Sequence, residues 1–261
     1  MAMHDDRQPL FRSFDGTQIH YEVRGEGTSV VLLHGFIVDG RSWEGTPVYH
    51  QLLRAGFKVV TLDLRGNGRS DRPHDLAAYE HDAEARDVMG LTRALGLDRY
   101  AVVGYSRGSI IASRLLLLDD RVERGVLGGM GADFADPRWP RRQRFYQALR
   151  GEPVAGLENL SAYLETLGAG ADRQALALLQ KAQPTTSPAE LACVERPVLV
   201  ISGDADFDNG SAAELARLLP QSSHRTVPGD HASTMRSDAF AGAVVAYLTA
   251  PLAAMANLPA R

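Results

Sequence analysis

With one cysteine, Cys193, among 261 residues, the chain can form no internal disulfide and offers no thiolate cluster for a metal. That scarcity fits a reducing compartment. No His-Glu-x-x-His pair occurs and no glycine-rich loop of the phosphate-cradling kind, so neither a metal nor an organic cofactor is expected. The longest apolar runs are too short to span a bilayer. Net charge is -4, with no basic stripe and no charged tail, which argues against a nucleic-acid partner. Residues 1–10 are polar and acidic without the apolar centre of a secretory signal. The expectation is a cytoplasmic protein with no membrane partner. Oligomeric state is not legible in the sequence.

What is present is ordinary globular composition, 44% hydrophobic and 23% charged, in a length that suits one large α/β domain. Two alternating segments, 11–14 and 19–23, flank Asp15-Gly16 and predict a hairpin. Residues 29–33 are continuously apolar, which predicts a strand buried on both faces. Further strands are predicted over 57–63, 100–103, 125–130, 197–203 and 224–227. Between them, helices are predicted over 42–53, 79–95, 109–116, 211–219 and 238–248. Strands alternating with helices imply a mostly parallel sheet covered on both faces. From 132 to about 190 that rhythm stops. Three helical patterns, near 138–149, 157–167 and 173–183, replace it, with Pro184 and Pro188 closing the segment. The expected organisation is a core over 1–131 and 191–261, with a helical insertion over 132–190. The alanine- and proline-rich tail, 251–261, reads as an extension beyond the last helix.

The most informative stretch is Gly104-Tyr105-Ser106-Arg107-Gly108, set between a strand and a helix. A serine held on so abrupt a turn projects its hydroxyl beyond the sheet, and glycines two residues away make room for the neighbouring backbone. The competing reading is a glycine-flanked turn whose serine only caps the helix. The ends of the other strands decide between them, because ligands of open parallel sheets gather there. Those ends carry His34-Gly35-Phe36, Asp63, Asp133, Asp204-Ala205-Asp206 and Asp230-His231. A serine hydroxyl needs a base, and an imidazole base needs a carboxylate to fix its tautomer. Ser106, Asp206 and His231 supply these in chain order.

With these segments, together with Asp63-Leu64-Arg65-Gly66-Asn67-Gly68-Arg69-Ser70, the chain resembles the α/β-hydrolase fold family over nearly its whole length outside the insertion. The resemblance implies an α/β-hydrolase fold in which the insertion is a small helical cap. It implies Ser106 as nucleophile, His231 as base and Asp206 as acid, with backbone N–H groups of Phe36 and Arg107 as oxyanion donors. Asp204 and Asp208 are rivals for the acid. Asp133 takes that role if the acid follows the sixth strand. A charged residue directly after the nucleophile departs from the family pattern. Its side chain would either form an ion pair under the cap or meet a substrate carboxylate. His34 is expected to hold the oxyanion loop, and Asp63 and Arg65 to brace the loop after their strand. Arg138, Arg141, Arg142 and Arg144 are expected on a solvated helix face. Trp139, Phe145 and Tyr146 either line an acyl pocket or pack the cap onto the core. The expected activity is hydrolysis of a small carboxylic ester or lactone through an acyl-enzyme. C–C bond hydrolysis, perhydrolysis and a non-catalytic receptor-like role are the alternatives within the fold.

Overall fold

A computed structural model describes residues 9–168 and 171–252. Most of the polar N-terminal stretch and most of the 251–261 tail therefore lie outside the described residues. Two strands open the chain. β1 (Leu10–Arg12) and β2 (Gln18–Arg24) pair antiparallel as the Asp15-Gly16 turn predicts, with Leu10 opposite His20. β3 (Ser29–Leu33) is buried at every residue, and β4 (Lys58–Leu62) lies parallel to it. β5 (Tyr100–Tyr105), β6 (Val122–Gly128), β7 (Val198–Gly203) and β8 (Ser222–Val227) complete an eight-stranded sheet of order β1-β2-β4-β3-β5-β6-β7-β8. All pairings from β4 to β8 are parallel, so the antiparallel hairpin sits at one edge.

Alternation along the strands divides the core in two. Val31, Leu33, Val60, Leu62 and Val102 face one side. They pack against α2 (Ala83–Ala94), α3 (Arg107–Leu118) and α8 (Ala212–Leu218). Val30, Leu32, Val59, Val103 and Ile201 face the other side, against α1 (Pro47–Arg54) and α10 (Asp238–Thr249). Each such side chain contributes about 1.5–3 kcal/mol by leaving water, so the two layers fix the strand ends that carry the polar residues. Between β6 and β7 the chain forms α4 (Pro140–Leu149), α5 (Leu160–Leu167) and α6 (Arg173–Ala182). These share a third apolar cluster of Leu149, Leu160, Leu164, Leu176 and Leu179, with Tyr79 from the core side.

Several boundaries differ from the sequence reading, each for a local reason. The helix expected over 42–53 begins only at Pro47. Proline lacks the N–H that an interior helix position would use, and the Thr46 side chain caps the start instead. The helix expected over 79–95 begins at Ala83, because His81 and Asp82 hold left-handed backbone at φ 56° and 58°. Pro188 does not close the helical segment. It opens a further short helix, α7 (Pro188–Leu191), where Ser187 and Glu190 form a reciprocal capping box. A last short helix, α9 (His231–Thr234), follows β8. No helix among the described residues is long and apolar enough to cross a membrane.

Glu190 ties α7 to the core. Arg114 Nη1 on α3 donates to Glu190 Oε1 at 2.8 Å, and the Ser187 N–H donates to Oε2 at 2.8 Å. The Arg114 guanidinium, followed by the Ser187 N–H, holds the Glu190 carboxyl down to about 2 from 4.5. A lowered carboxyl stabilises the fold above its unfolded value and loses that contribution as pH falls through the folded one. The Glu190 side chain is 44% exposed, so the pair is worth about 0.5–1 kcal/mol. Glu190→Gln is expected to lower Tm by about 1–4 °C at pH 7. The gap should close as pH falls from 4.5 towards about 2. Thermal melts across that window check this, and a constant gap contradicts it.

Candidate active site

Only Ser106 separates the end of β5 from the start of α3. Its backbone lies at φ 54°, ψ -119°, a region that side chains other than glycine's rarely occupy. The surroundings hold it there. Its N–H donates to the Gly128 carbonyl at 2.8 Å, and Ser109 Oγ lies 3.0 Å from the Gly104 carbonyl and 2.8 Å from that of Gly128. A Cβ at position 104 would strike the Gly108 backbone, and one at position 108 would strike the backbone of Leu33. The two glycines are what let β5, α3 and β3 approach closely enough to turn the serine outward.

His231 opens α9 beside β8, and Asp206 follows β7. His231 Nε2 lies 3.0 Å from Ser106 Oγ, and its Nδ1 lies 2.9 Å from Asp206 Oδ2. The Asp206 side chain is 2% exposed and that of His231 25%. Asp206 Oδ1 also accepts the Asp208 N–H at 3.3 Å. An Nδ1 proton held by the carboxylate leaves the Nε2 lone pair facing the serine hydroxyl. Tyr105, next to the serine, fixes the other end of the arrangement. Its hydroxyl donates to the His231 carbonyl at 2.7 Å, and burial, then the Asp206 charge, push its ionisation well above the ordinary phenol range. It therefore remains a donor.

The rival carboxylates are engaged elsewhere. Asp204 Oδ1 accepts the Gly229 N–H at 2.9 Å, and Asp208 pairs with Arg141 at 3.1 Å. The Asp133 carboxylate packs against Gly210. Among the carboxylates of the described residues, Asp206 alone bonds the His231 ring. His34 has both ring nitrogens on backbone, Nδ1 to the Gly35 carbonyl at 2.7 Å and Nε2 to the Leu64 N–H at 3.0 Å. Burial lowers its pKa, so it is a neutral brace for the loop that carries Phe36. Asp63 accepts the N–H groups of Gly40 and Arg69, both at 2.8 Å, and Arg65 is buried against Asp87 and Asp15.

Phe36 and Arg107 line the same cavity as Ser106, which has a volume of about 50 Å³. Ile110, Met130, Trp139 and Phe145 give it apolar walls. The Arg107 side chain is buried against protein groups. It is 3% exposed and forms an ion pair with Glu84 of α2, at 2.5 Å from Nη2 and 3.2 Å from Nε. Its Nη1 also donates to Gln183 Oε1 at 3.1 Å, which ties α3 to the end of α6. The expectation for the arginine row needs correcting. Arg138 is exposed, but Arg141 and Arg142 reach the Ser106 cavity together with Gln180, Gln183 and Asn209. Phe145 stands three and four residues after Arg142 and Arg141, which is the one signal that could have revealed their shared face. The Arg141 guanidinium lies 5.0 Å from the Phe145 ring centre. A larger cavity of about 480 Å³, bordered by Ile37, Arg41, Asn67 and Tyr163, includes none of the five proposed site residues. Among the described residues no three His, Cys, Asp or Glu side chains are grouped to hold a metal ion.

This geometry can be set beside known proteins. Residues 28–156 match the family model described as alpha/beta hydrolase fold. A Synechocystis sp. protein assigned as a non-heme chloroperoxidase is 28% identical over 245 residues, 81% of this chain and 87% of that protein. A solved hydrolase from Pseudomonas aeruginosa superposes with TM-score 0.77 at 25% identity, covering 94% of this chain and 100% of the other. The enol-lactonase from Burkholderia xenovorans LB400 superposes with TM-score 0.75 at 25% identity, covering 93% and 100%. The chain belongs to the α/β-hydrolase superfamily.

The buried Arg107–Glu84 pair makes a stability prediction. Removing one partner strands the other charge in the interior, at a cost of about 3–5 kcal/mol, whereas an apolar replacement of both is tolerated. Arg107→Met is expected to lose about that much in urea unfolding, and Arg107→Met with Glu84→Leu to recover most of it. A double variant as unstable as the sum of the singles contradicts the pairing.

Proposed function

We propose that the chain is a serine hydrolase acting on small carboxylic esters or lactones through an acyl-enzyme. The observation that carries this reading is the unbroken relay from Ser106 Oγ through His231 to Asp206, at 3.0 and 2.9 Å. Ser106 attacks the carbonyl carbon as His231 Nε2 takes the hydroxyl proton. Asp206 orients the ring and stabilises the imidazolium. The oxyanion meets the N–H groups of Phe36 and Arg107. Arg107 is the first residue of α3, where helix N–H groups have no partner within the helix and the positive end of its dipole points out. His231 returns the proton to the leaving alkoxide, and water activated by the same nitrogen then releases the acid. In this reading the segment 132–190 acts as a cap, and the narrow space at Ser106 favours a short acyl group.

The Synechocystis relative supports a second outcome from the same intermediate. If hydrogen peroxide replaces water in the last step, the acyl-enzyme yields a peroxyacid and free Ser106. Both outcomes require the same acylation.

A fluorophosphonate probe is expected to label the wild type and not Ser106→Ala. No labelling of the folded wild type contradicts the hydrolase reading and favours a non-catalytic role. Asp206→Asn is expected to lower kcat by about 10³–10⁴. Asp204→Asn and Asp208→Asn should cost far less, and the reverse order in a steady-state ester assay moves the acid role.

A further inference from the structure

A second cavity of about 250 Å³ adjoins the one at Ser106 and shares Trp139, Arg142 and Gln180 with it. Its cations are Arg138, Arg142 and Lys181, and among the described residues no Asp or Glu lines it. Arg138 is 89% exposed and pairs with Asp136. Lys181 has no carboxylate within ion-pair distance among the described residues. Arg142 stands at the junction of the two spaces and differs from the other two arginines at Ser106. Arg107 is neutralised by Glu84 and Arg141 by Asp208. Among the described residues Arg142 donates only to uncharged acceptors: Nε to the Gln180 carbonyl at 2.9 Å, Nη2 to the Lys181 carbonyl at 2.5 Å, and Nη1 to Thr185 Oγ1 at 3.5 Å. Three of its five N–H groups are thereby used. Burial, then the charge of Arg107, pull its pKa below the ordinary guanidinium value, although it stays charged. The junction thus holds a half-desolvated cation without an anion among the described residues.

We propose that this outer cavity binds a carboxylate at the far end of the substrate's acyl group, so that the preferred substrates are half-esters of short dicarboxylic acids, or lactones bearing an acid. The inference rests on the hydrolase reading for the position of the reacting carbonyl. The acyl carbon at Ser106 and the carboxylate beside Arg142 then occupy adjoining spaces. The remaining Arg142 N–H groups provide charge-assisted donors, and Lys181 and Arg138 add field from the rim. A carboxylate is the anion in which a short chain of carbon and oxygen can end. Sequence placed these arginines on a solvated face. Pro140 at the first turn of α4, and the packing of α4 on α6, turn Arg142 inward instead.

The test compares monomethyl glutarate with dimethyl glutarate. Wild type is expected to favour the half-ester in kcat/KM by about tenfold at low salt, and the preference should shrink near 1 M salt as screening shortens to about 3 Å. The ratio should fall towards one, through KM for the half-ester, in Arg142→Gln and in the exposed double variant Arg138→Gln with Lys181→Gln. Arg142→Lys should keep part of it. The double variant decides the matter if Arg142→Gln fails to fold. Equal use of both esters by wild type, or a ratio untouched by every substitution, overturns the proposal while leaving the hydrolase reading intact. If neither ester is cleaved, the hydrolase reading is what fails. Calorimetric titration of Ser106→Ala with monomethyl glutarate then judges the subsite. Binding that weakens when Arg138→Gln and Lys181→Gln are added supports it, and absence of binding overturns it.

Discussion

At Ser106 a residue with a side chain is held at positive φ between a strand and a helix that almost touch, and much of the surrounding sequence follows from that contact. Such a backbone costs on the order of 1–3 kcal/mol and persists only where neighbours over-determine it. Here those neighbours are the Gly128 carbonyl on β6, the Ser109 hydroxyl, and the β3 backbone that Gly108 allows to approach. The strand register carries the constraint outward. Leu33 of β3 lies opposite Gly104, and Tyr105 opposite Gly128. The turn is therefore built into the sheet and not added to it. Small residues at 104, 108 and 128 are needed for the same reason, since a Cβ at 128 would meet the Tyr105 ring.

The same sheet delivers the partners. β7 and β8 run parallel to β5 and β6, so the residues after them emerge at the edge where Ser106 does. Tyr105 joins the two halves of the chain by donating to the backbone of His231, 126 residues away. Arg107 joins α3 to α2 and to the end of α6. Polar side chains flanking the serine thus fix the histidine on one side and the helical segment on the other. The chemistry proposed for Ser106 depends on both.

Much of this was legible in the sequence because the signals were local or were set by chain order. Continuous apolar runs gave the buried strands, Asp15-Gly16 gave the hairpin, and the order Ser106, Asp206, His231 gave the set of side chains that the fold brings together. What was not legible depended on packing between distant segments. Glu84 and Arg107 are 23 residues apart and meet only because α2 lies beside α3. The inward turn of Arg141 and Arg142 depends on how α4 sits against α6. β8 begins two residues before the strand predicted over 224–227, because Ser222 and Ser223 pair with Val198 and Leu199 of β7. Pro47 and Pro188 look like breaks in helical sequence, yet each stands at a first helical position, where the missing N–H costs nothing.

The proposed chemistry requires that Ser106 becomes acylated. Incubating the folded protein with p-nitrophenyl acetate, quenching in acid and mapping the peptides by mass spectrometry tests this. A single added acetyl group is expected on the peptide containing Ser106, and none in the Ser106→Ala variant. Turnover of the ester with no adduct at Ser106, or an acetyl group mapped to another residue, would contradict it.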